Sequence, residues 1–212
     1  VSAPLAIFGG TFDPIHIGHL RVAWEAAEAL DAEVRMIPSA NPPHRDAPLA
    51  SAPHRLAMLR LALEGQQRLI ADARELARPG PSYSIDTLTE LRTEIGSQRA
   101  LVLLLGADAF AGLSSWHRWR ELFEFAHVGV LTRPGHGGVF EAELAAEWYQ
   151  RRVDAPSALA LRPAGSIAAI EVSALEISAS AVRTAFAAGR QARFLVPDRV
   201  LDYIIRHGLY RF

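Results

Sequence analysis

The 212 residues carry 22 basic and 23 acidic side chains, a formal net charge of −1, so no global positive field gathers nucleic acid and an anionic ligand must be held locally. Hydrophobic residues make up 50% and charged residues 21%, with 15 Gly and 13 Pro, which is globular usage and excludes a disordered, collagenous or coiled-coil chain. There is no Cys and every basic residue is Arg, which removes thiolate and disulfide chemistry, Schiff bases and a Walker-type phosphate loop.

In chain order, the apolar run Leu5–Phe8, closed by Gly9 and Gly10, reads as a buried strand ending at a tight turn. Leu20, Ala23, Trp24, Ala27 and Leu30 then recur at helical spacing after the Pro14–Gly18 loop. Val34–Ile37 is a second strand, followed by the turn-rich SANPPHRDAPLASAP, which Pro42, Pro43, Pro48 and Pro53 keep irregular. Leu56, Leu59 and Leu63 mark a helix and Leu69–Asp72 a short strand. Ile85, Leu88, Leu91 and Ile95 mark another helix, with Ser84 as its expected N-cap and Asp86 as a first-turn acid.

Ala100–Leu105 is the strongest strand, apolar throughout as in a parallel sheet buried on both faces, and Gly106 ends it. A helix through Leu122 and Phe125, a strand at Val128–Thr132 and a helical stretch at Phe140–Gln150 follow. A last strand at Ile167–Val172 and helices near Ser178–Ala188 and Pro197–His207 complete the pattern. Strands and helices alternate, so the expected fold is α/β, a doubly wound parallel sheet. One domain over residues 1–212 is expected, with a helical C-terminal part at 177–212. No run of 18 apolar residues occurs and the opening VSAPLAIFGG lacks the pattern of a signal peptide, so a soluble cytoplasmic protein without a membrane partner is expected.

Such sheets bind ligands beyond the carboxyl ends of their strands, where the strand order reverses. Gly9 and Gly10 let the backbone approach a phosphate, and Thr11 adds a hydroxyl. His16 and His19 lie three apart at a helix start, where two imidazoles beside a positive helix end suit an anion, and where they would equally serve as cap and packing. An imidazole there is expected to become partly cationic against a bound anion. The spacing is not that of an HxxxH zinc pair. Asp108, just past the best strand, suits ribose hydroxyls or a helix cap, and Trp116 a ring platform or the core. Asp13 is expected to fix its loop rather than bind a metal.

The segment GGTFDPIHIGHL at 9–20 resembles the opening signature of the HxGH nucleotidyltransferases, and ISASAVR at Ile177–Arg183 resembles the ISSTxxR segment of the small-molecule adenylyltransferases. HIGH is shared with class I aminoacyl-tRNA synthetases, but a chain without Lys has no KMSKS loop, and 212 residues leave no room for tRNA-binding parts. PSANPPHR, PSYSIDTL, GADAFAGLSSWHRWREL, LTRPG and FLVPDRVLDYIIRHGLY complete, in order, a likeness to the bacterial nicotinate mononucleotide adenylyltransferases over almost the whole chain. The resemblance implies a Rossmann-like nucleotidyltransferase fold. It implies in-line transfer of the adenylyl group of ATP to nicotinate mononucleotide with release of pyrophosphate, a step of NAD biosynthesis.

By that resemblance the catalytic residues are His16, His19 and Arg183. ATP would meet Gly9, Gly10, Thr11, Phe12, Gly18, Gly106, Asp108, Ile177, Ser178 and Ser180. Nicotinate mononucleotide would meet His44, Arg45, Tyr83, Ser84, Asp86, Thr87, Trp116 and Arg133. Magnesium is expected to ride on the ATP phosphates, with no metal site in the protein. Ala179 stands where the family usually has a second Ser, and Ser84 where Thr is usual, which leaves the phosphate contacts of the late loop to Ser178, Ser180 and Arg183. Two alternatives stay open, another HxGH adenylyltransferase such as the pantetheine-phosphate enzyme and a non-catalytic nucleotide-binding regulator; self-association also stays open.

Overall fold

The computed structural model describes residues 2–41, 47–133, 141–173 and 175–211. Among these residues seven strands form one sheet: β1 (Leu5–Gly10), β2 (Glu33–Pro38), β3 (Leu69–Ala71), β4 (Leu101–Gly106), β5 (His127–Thr132), β6 (Arg152–Val153) and β7 (Ile167–Glu171). Their spatial order is β3-β2-β1-β4-β5-β7-β6, and every neighbouring pair is parallel. The chain winds outward from β1 through β2 to β3, then returns to start β4 on the other side of β1. The strand order therefore reverses between β1 and β4, which opens a crevice at their carboxyl ends.

Side-chain alternation along the strands divides the core in two. In β4, Leu101, Leu103 and Leu105 face one layer while Val102 and Leu104 face the other, so both faces of this central strand are apolar and must be covered. On one face lie α1 (Ile17–Leu30) and α2 (Ala52–Leu63), together with the late helices α7 (Ala179–Ala187) and α8 (Asp198–Arg206). The other face is covered by α3 (Ser84–Ile95), α4 (Ala107–Ala111), α5 (Leu122–Phe125) and α6 (Ala142–Arg151). Gly129 of β5 is required by packing: an added Cβ would come within 2.8 Å of Leu104 and 3.0 Å of Ile170.

The differences from the sequence reading are local. Ser84 is the first residue of α3 rather than its cap; Tyr83 holds the cap position, and no side chain bonds the helix start. Directly after Gly106, which ends β4 and holds the cap position, Ala107–Ala111 forms the five-residue α4. The helix through Leu122 and Phe125 is a single turn preceded by a 3-10 turn at Trp119–Glu121. β6 was missed because a two-residue edge strand of Arg and Val carries no periodicity. No helix among the described residues is long and apolar enough to cross a membrane.

Candidate active site

At the reversal point the sheet ends in glycine on both strands. A Cβ built on Gly9 or on Gly106 would meet nothing within 4 Å, so the backbone there borders open space that any side chain would fill. Asp108 lies in the first turn of α4, exposed, and no side chain caps that helix, so its carboxylate is not spent as a cap. Gly10, by contrast, is needed inward: its Cβ would come within 2.9 Å of the Phe12 ring.

The loop leaving β1 is fixed by two buried ionisable residues. Arg55 occupies the apolar face of α2 with Met58, Leu59 and Leu63, and is 1% exposed. Its guanidinium donates to the carbonyls of Thr11 (2.7 Å), Ser39 (2.8 Å) and Ala50 (3.2 Å), tying the loop after β1 to the loop after β2. Asp13 accepts the N–H groups of Leu49 (2.8 Å) and Ala50 (3.1 Å) and the Tyr210 hydroxyl (2.6 Å). Its carboxylate is thus consumed in holding the loop, as expected, and burial together with the Asp13 carboxylate pushes the Tyr210 phenol far above its ordinary range.

That scaffold presents the two histidines. His16 is the N-cap of α1, and its Nδ1 accepts the N–H of His19 at 3.3 Å. With Nδ1 acting as acceptor, the proton of the neutral ring sits on Nε2. Burial lowers the His16 pKa to about 4, so at pH 7 without a bound anion this ring is a neutral Nε2–H donor. The His19 ring stacks on it, centroids 3.6 Å apart at 24°, and meets the Phe12 ring edge-on at 5.1 Å. Phe12 is 2% exposed, and its ring supports His19 from the core.

Gly18 joins this pair to the late signature segment. A Cβ there would lie 3.1 Å from the His16 ring atoms and 3.4 Å from the Ile177 carbonyl. Gly18→Ala is therefore expected to push the His16 ring off its cap contact and cost about 1–3 kcal/mol by overpacking. Chemical denaturation measures that cost, and the ring shift is checked by the His16 imidazole resonances.

Ser178 caps α7, its Oγ accepting the Ala181 N–H at 3.1 Å, and Arg183 one turn on donates to the Asp13 carbonyl at 2.7 Å and lies 3.4 Å from Ser180 Oγ. The early and late signatures are thus bonded to each other.

Opposite them, the loops after β2 and before α3 are stitched together. Ser82 donates its N–H to Asn41, while its Oγ accepts the N–H groups of Ala40 (3.0 Å) and Asn41 (3.3 Å). The Tyr83 ring lies against His117 at 4.4 Å, which brings the half-buried Trp116 beside the start of α3. The first N–H groups of α3 have no intrahelical acceptor and no side-chain cap. Asp86 stands in that first turn and Arg133 follows β5, exposed. Thr87 is 1% exposed, and its hydroxyl accepts from Arg78 and donates to Glu75 at 2.8 Å. His44 and Arg45 lie outside the described residues.

Sequence reading missed Arg55, Glu75, Tyr210 and His117. For Arg55 the signal existed, since it falls on the i, i+3, i+4 face with Met58 and Leu59; for Tyr210 nothing local marks a partner 197 residues away.

Comparison with known proteins points in one direction. A cytidylyltransferase-like family model matches residues 7–185. A probable nicotinate-nucleotide adenylyltransferase of Pseudomonas putida (strain W619) is 50% identical over 208 residues, 98% of this chain and 94% of that one. A protein of the same name from Dechloromonas aromatica (strain RCB) is 47% identical over 215 residues, covering 100% of this chain and 99% of that one. Among solved structures, Plasmodium falciparum nicotinic acid mononucleotide adenylyltransferase complexed with NaAD aligns with a TM-score of 0.71 at 18% identity, over 99% of this chain and 98% of that one, a likeness of fold.

Proposed function

The chain belongs to the cytidylyltransferase-like family and, within it, to the nicotinate-nucleotide adenylyltransferases, and from that premise we propose that it joins nicotinate mononucleotide to the AMP portion of ATP, giving nicotinate adenine dinucleotide and pyrophosphate. The observation that carries this reading is the stacked His16–His19 pair at the start of α1, linked through Gly18 and Asp13 to the segment bearing Arg183.

The 5′-phosphate of the acceptor is already an oxyanion at neutral pH, so the reaction needs no general base. One of its oxygens attacks the α-phosphorus of ATP in line, the bond to the α–β bridging oxygen breaks, and the electron pair leaves with pyrophosphate. The protein's task is to place both nucleotides and neutralise the charge that builds. His16 donates Nε2–H to a phosphate oxygen, and the α1 N-terminus adds its positive end. His19 is assigned to the reacting α-phosphate, and Arg183, with Ser180 and the remaining hydroxyl proton of Ser178, to the β- and γ-phosphates.

The open space at Gly9 and Gly106 is assigned to ATP, approached by the backbone of Gly10, Thr11, Phe12, Gly18 and Ile177, with Asp108 accepting from ribose hydroxyls. Magnesium belongs to the substrate in this reading, as MgATP. Among the described residues no group of three or more His, Asp or Glu side chains would hold a metal, and no step is routed through one.

On the acceptor side Trp116 offers its ring to the pyridine, and the N–H groups of Tyr83 and Ser84 at the start of α3 receive the nicotinate carboxylate. Asp86 and Arg133 flank that subsite, and His44 and Arg45 are assigned to the acceptor phosphate. The amide analogue brings no charge to these donors and turns two N–H groups of its own toward them. The chain should therefore prefer the acid over the amide by about 100-fold or more in kcat/KM. Pyrophosphate release measured with each mononucleotide, and with 4′-phosphopantetheine as a control acceptor, tests this; comparable rates with acid and amide remove the assigned carboxylate subsite, and release with phosphopantetheine alone replaces the substrate.

A further inference from the structure

Beneath the acceptor subsite lies a carboxylate that the mechanism above does not use. Glu75 sits in the 3-10 turn Arg74–Ala77 between β3 and α3 and is 8% exposed. Thr87 Oγ1 donates to it at 2.8 Å, and the Ser82 hydroxyl faces it and helps to hold its charge. Each hydroxyl has its direction imposed from elsewhere. Ser82 Oγ already accepts the N–H groups of Ala40 and Asn41, which occupy both of its lone pairs, so its proton is left to donate. Thr87 Oγ1 accepts from the Arg78 guanidinium at 3.3 Å, and its proton likewise points to Glu75.

Both hydroxyls therefore turn protons toward Glu75, and the buried group there must be an acceptor. A carboxylate meets that demand with either oxygen, an amide with only one. The same bonds have a mechanical result. Ser82 is the stitch between the loop after β2 and the loop before α3, reinforced by its N–H to the Asn41 carbonyl and by the Asn41 side-chain amide to the Gly80 carbonyl at 3.2 Å. The next two residues, Tyr83 and Ser84, carry the N–H groups assigned to the nicotinate carboxylate.

We propose that Glu75 is a positioning residue for the acceptor mononucleotide: by taking the hydroxyl protons of Ser82 and Thr87 it locks the start of α3 against the loop after β2 and so sets where the acceptor's carboxylate binds. The inference rests on the functional reading above. It also separates Glu75 from an ordinary stabilising contact. Burial raises its pKa, so keeping the ionised form in the fold is a cost to stability at neutral pH, and removing that charge offsets what a mispaired amide costs the fold.

The test uses the full chain with Glu75→Gln, which keeps the shape and replaces one acceptor by an NH2 facing oxygens that already accept. Glu75→Asp keeps two acceptors on a shorter stem, and Thr87→Val removes one donor without touching the Ser82 stitch. Steady-state kinetics give KM for each nucleotide and kcat, calorimetric titration gives nicotinate mononucleotide binding directly, and thermal unfolding at pH 7 reports the fold. Glu75→Gln is expected to raise the acceptor KM and weaken calorimetric binding by about 10- to 30-fold, the worth of one or two mispaired buried hydrogen bonds. The ATP KM and the unfolding midpoint should hold, Thr87→Val should give a smaller effect of the same kind, and Glu75→Asp should recover part of the loss. The inference is overturned if Glu75→Gln leaves acceptor binding unchanged, if both KM values rise together, or if only the unfolding midpoint falls. A wild-type chain that neither binds nor adenylylates nicotinate mononucleotide overturns the functional reading itself, and the inference with it.

Discussion

A His19→Ala variant is expected to bind ATP with little loss and to turn over about 100- to 1000-fold more slowly, the usual cost of removing one preorganised donor from the place where charge develops. The ring lies at the third residue of α1, stacked on His16 and buttressed edge-on by Phe12, so its orientation is set before substrate arrives. Alanine keeps the backbone N–H that His16 caps, and it is a good helix former, so the start of α1 should survive the substitution. The expected signature is thus a fall in kcat with a nearly constant nucleotide dissociation constant and unfolding midpoint. Single-turnover kinetics beside equilibrium ATP binding provide the check, and full activity in the variant would take the central role away from this imidazole.

Arg55→Ala should be the most damaging single change to the fold. It strips the donor from three carbonyls, those of Thr11, Ser39 and Ala50, in a partly buried region, and removes the positive charge facing Asp13. An expected loss of about 3–5 kcal/mol follows from uncompensated buried polar groups and an unbalanced buried carboxylate. Urea denaturation measures it. Lysine should recover only a minor part, because a single ammonium on a flexible stem cannot reach three carbonyls held in a fork. A loss below about 1 kcal/mol for Arg55→Ala would mean that the two loops are held by something else.

These two residues illustrate how unevenly the molecule could be read in its letters. The alternation of β4, the helical spacing of α1 and the glycines that end β1 and β4 are local patterns, and local patterns set the sheet, its winding and the position of the crevice. His16, His19 and Arg183 can be singled out in the letters because the residues around them form contiguous signatures. Arg55 and Glu75 were not, because an arginine on a helix and a glutamate in a turn look solvated unless the burial of their surroundings is known. Thr87 shows a related gap: spacing puts it in the first turn of α3, but only the position of Glu75 reveals that its hydroxyl faces inward. Phe12 shows the same gap in reverse, since a place in the loop after β1 says nothing about which way its ring points.

The bond from Tyr210 to Asp13 spans 197 residues and ends on the loop that also receives Arg183. During synthesis the seven described strands have all emerged with Glu171, yet the first loop lacks this anchor until α8 and Tyr210 follow. Competence to bind triphosphate is therefore expected to wait until Tyr210 has reached Asp13.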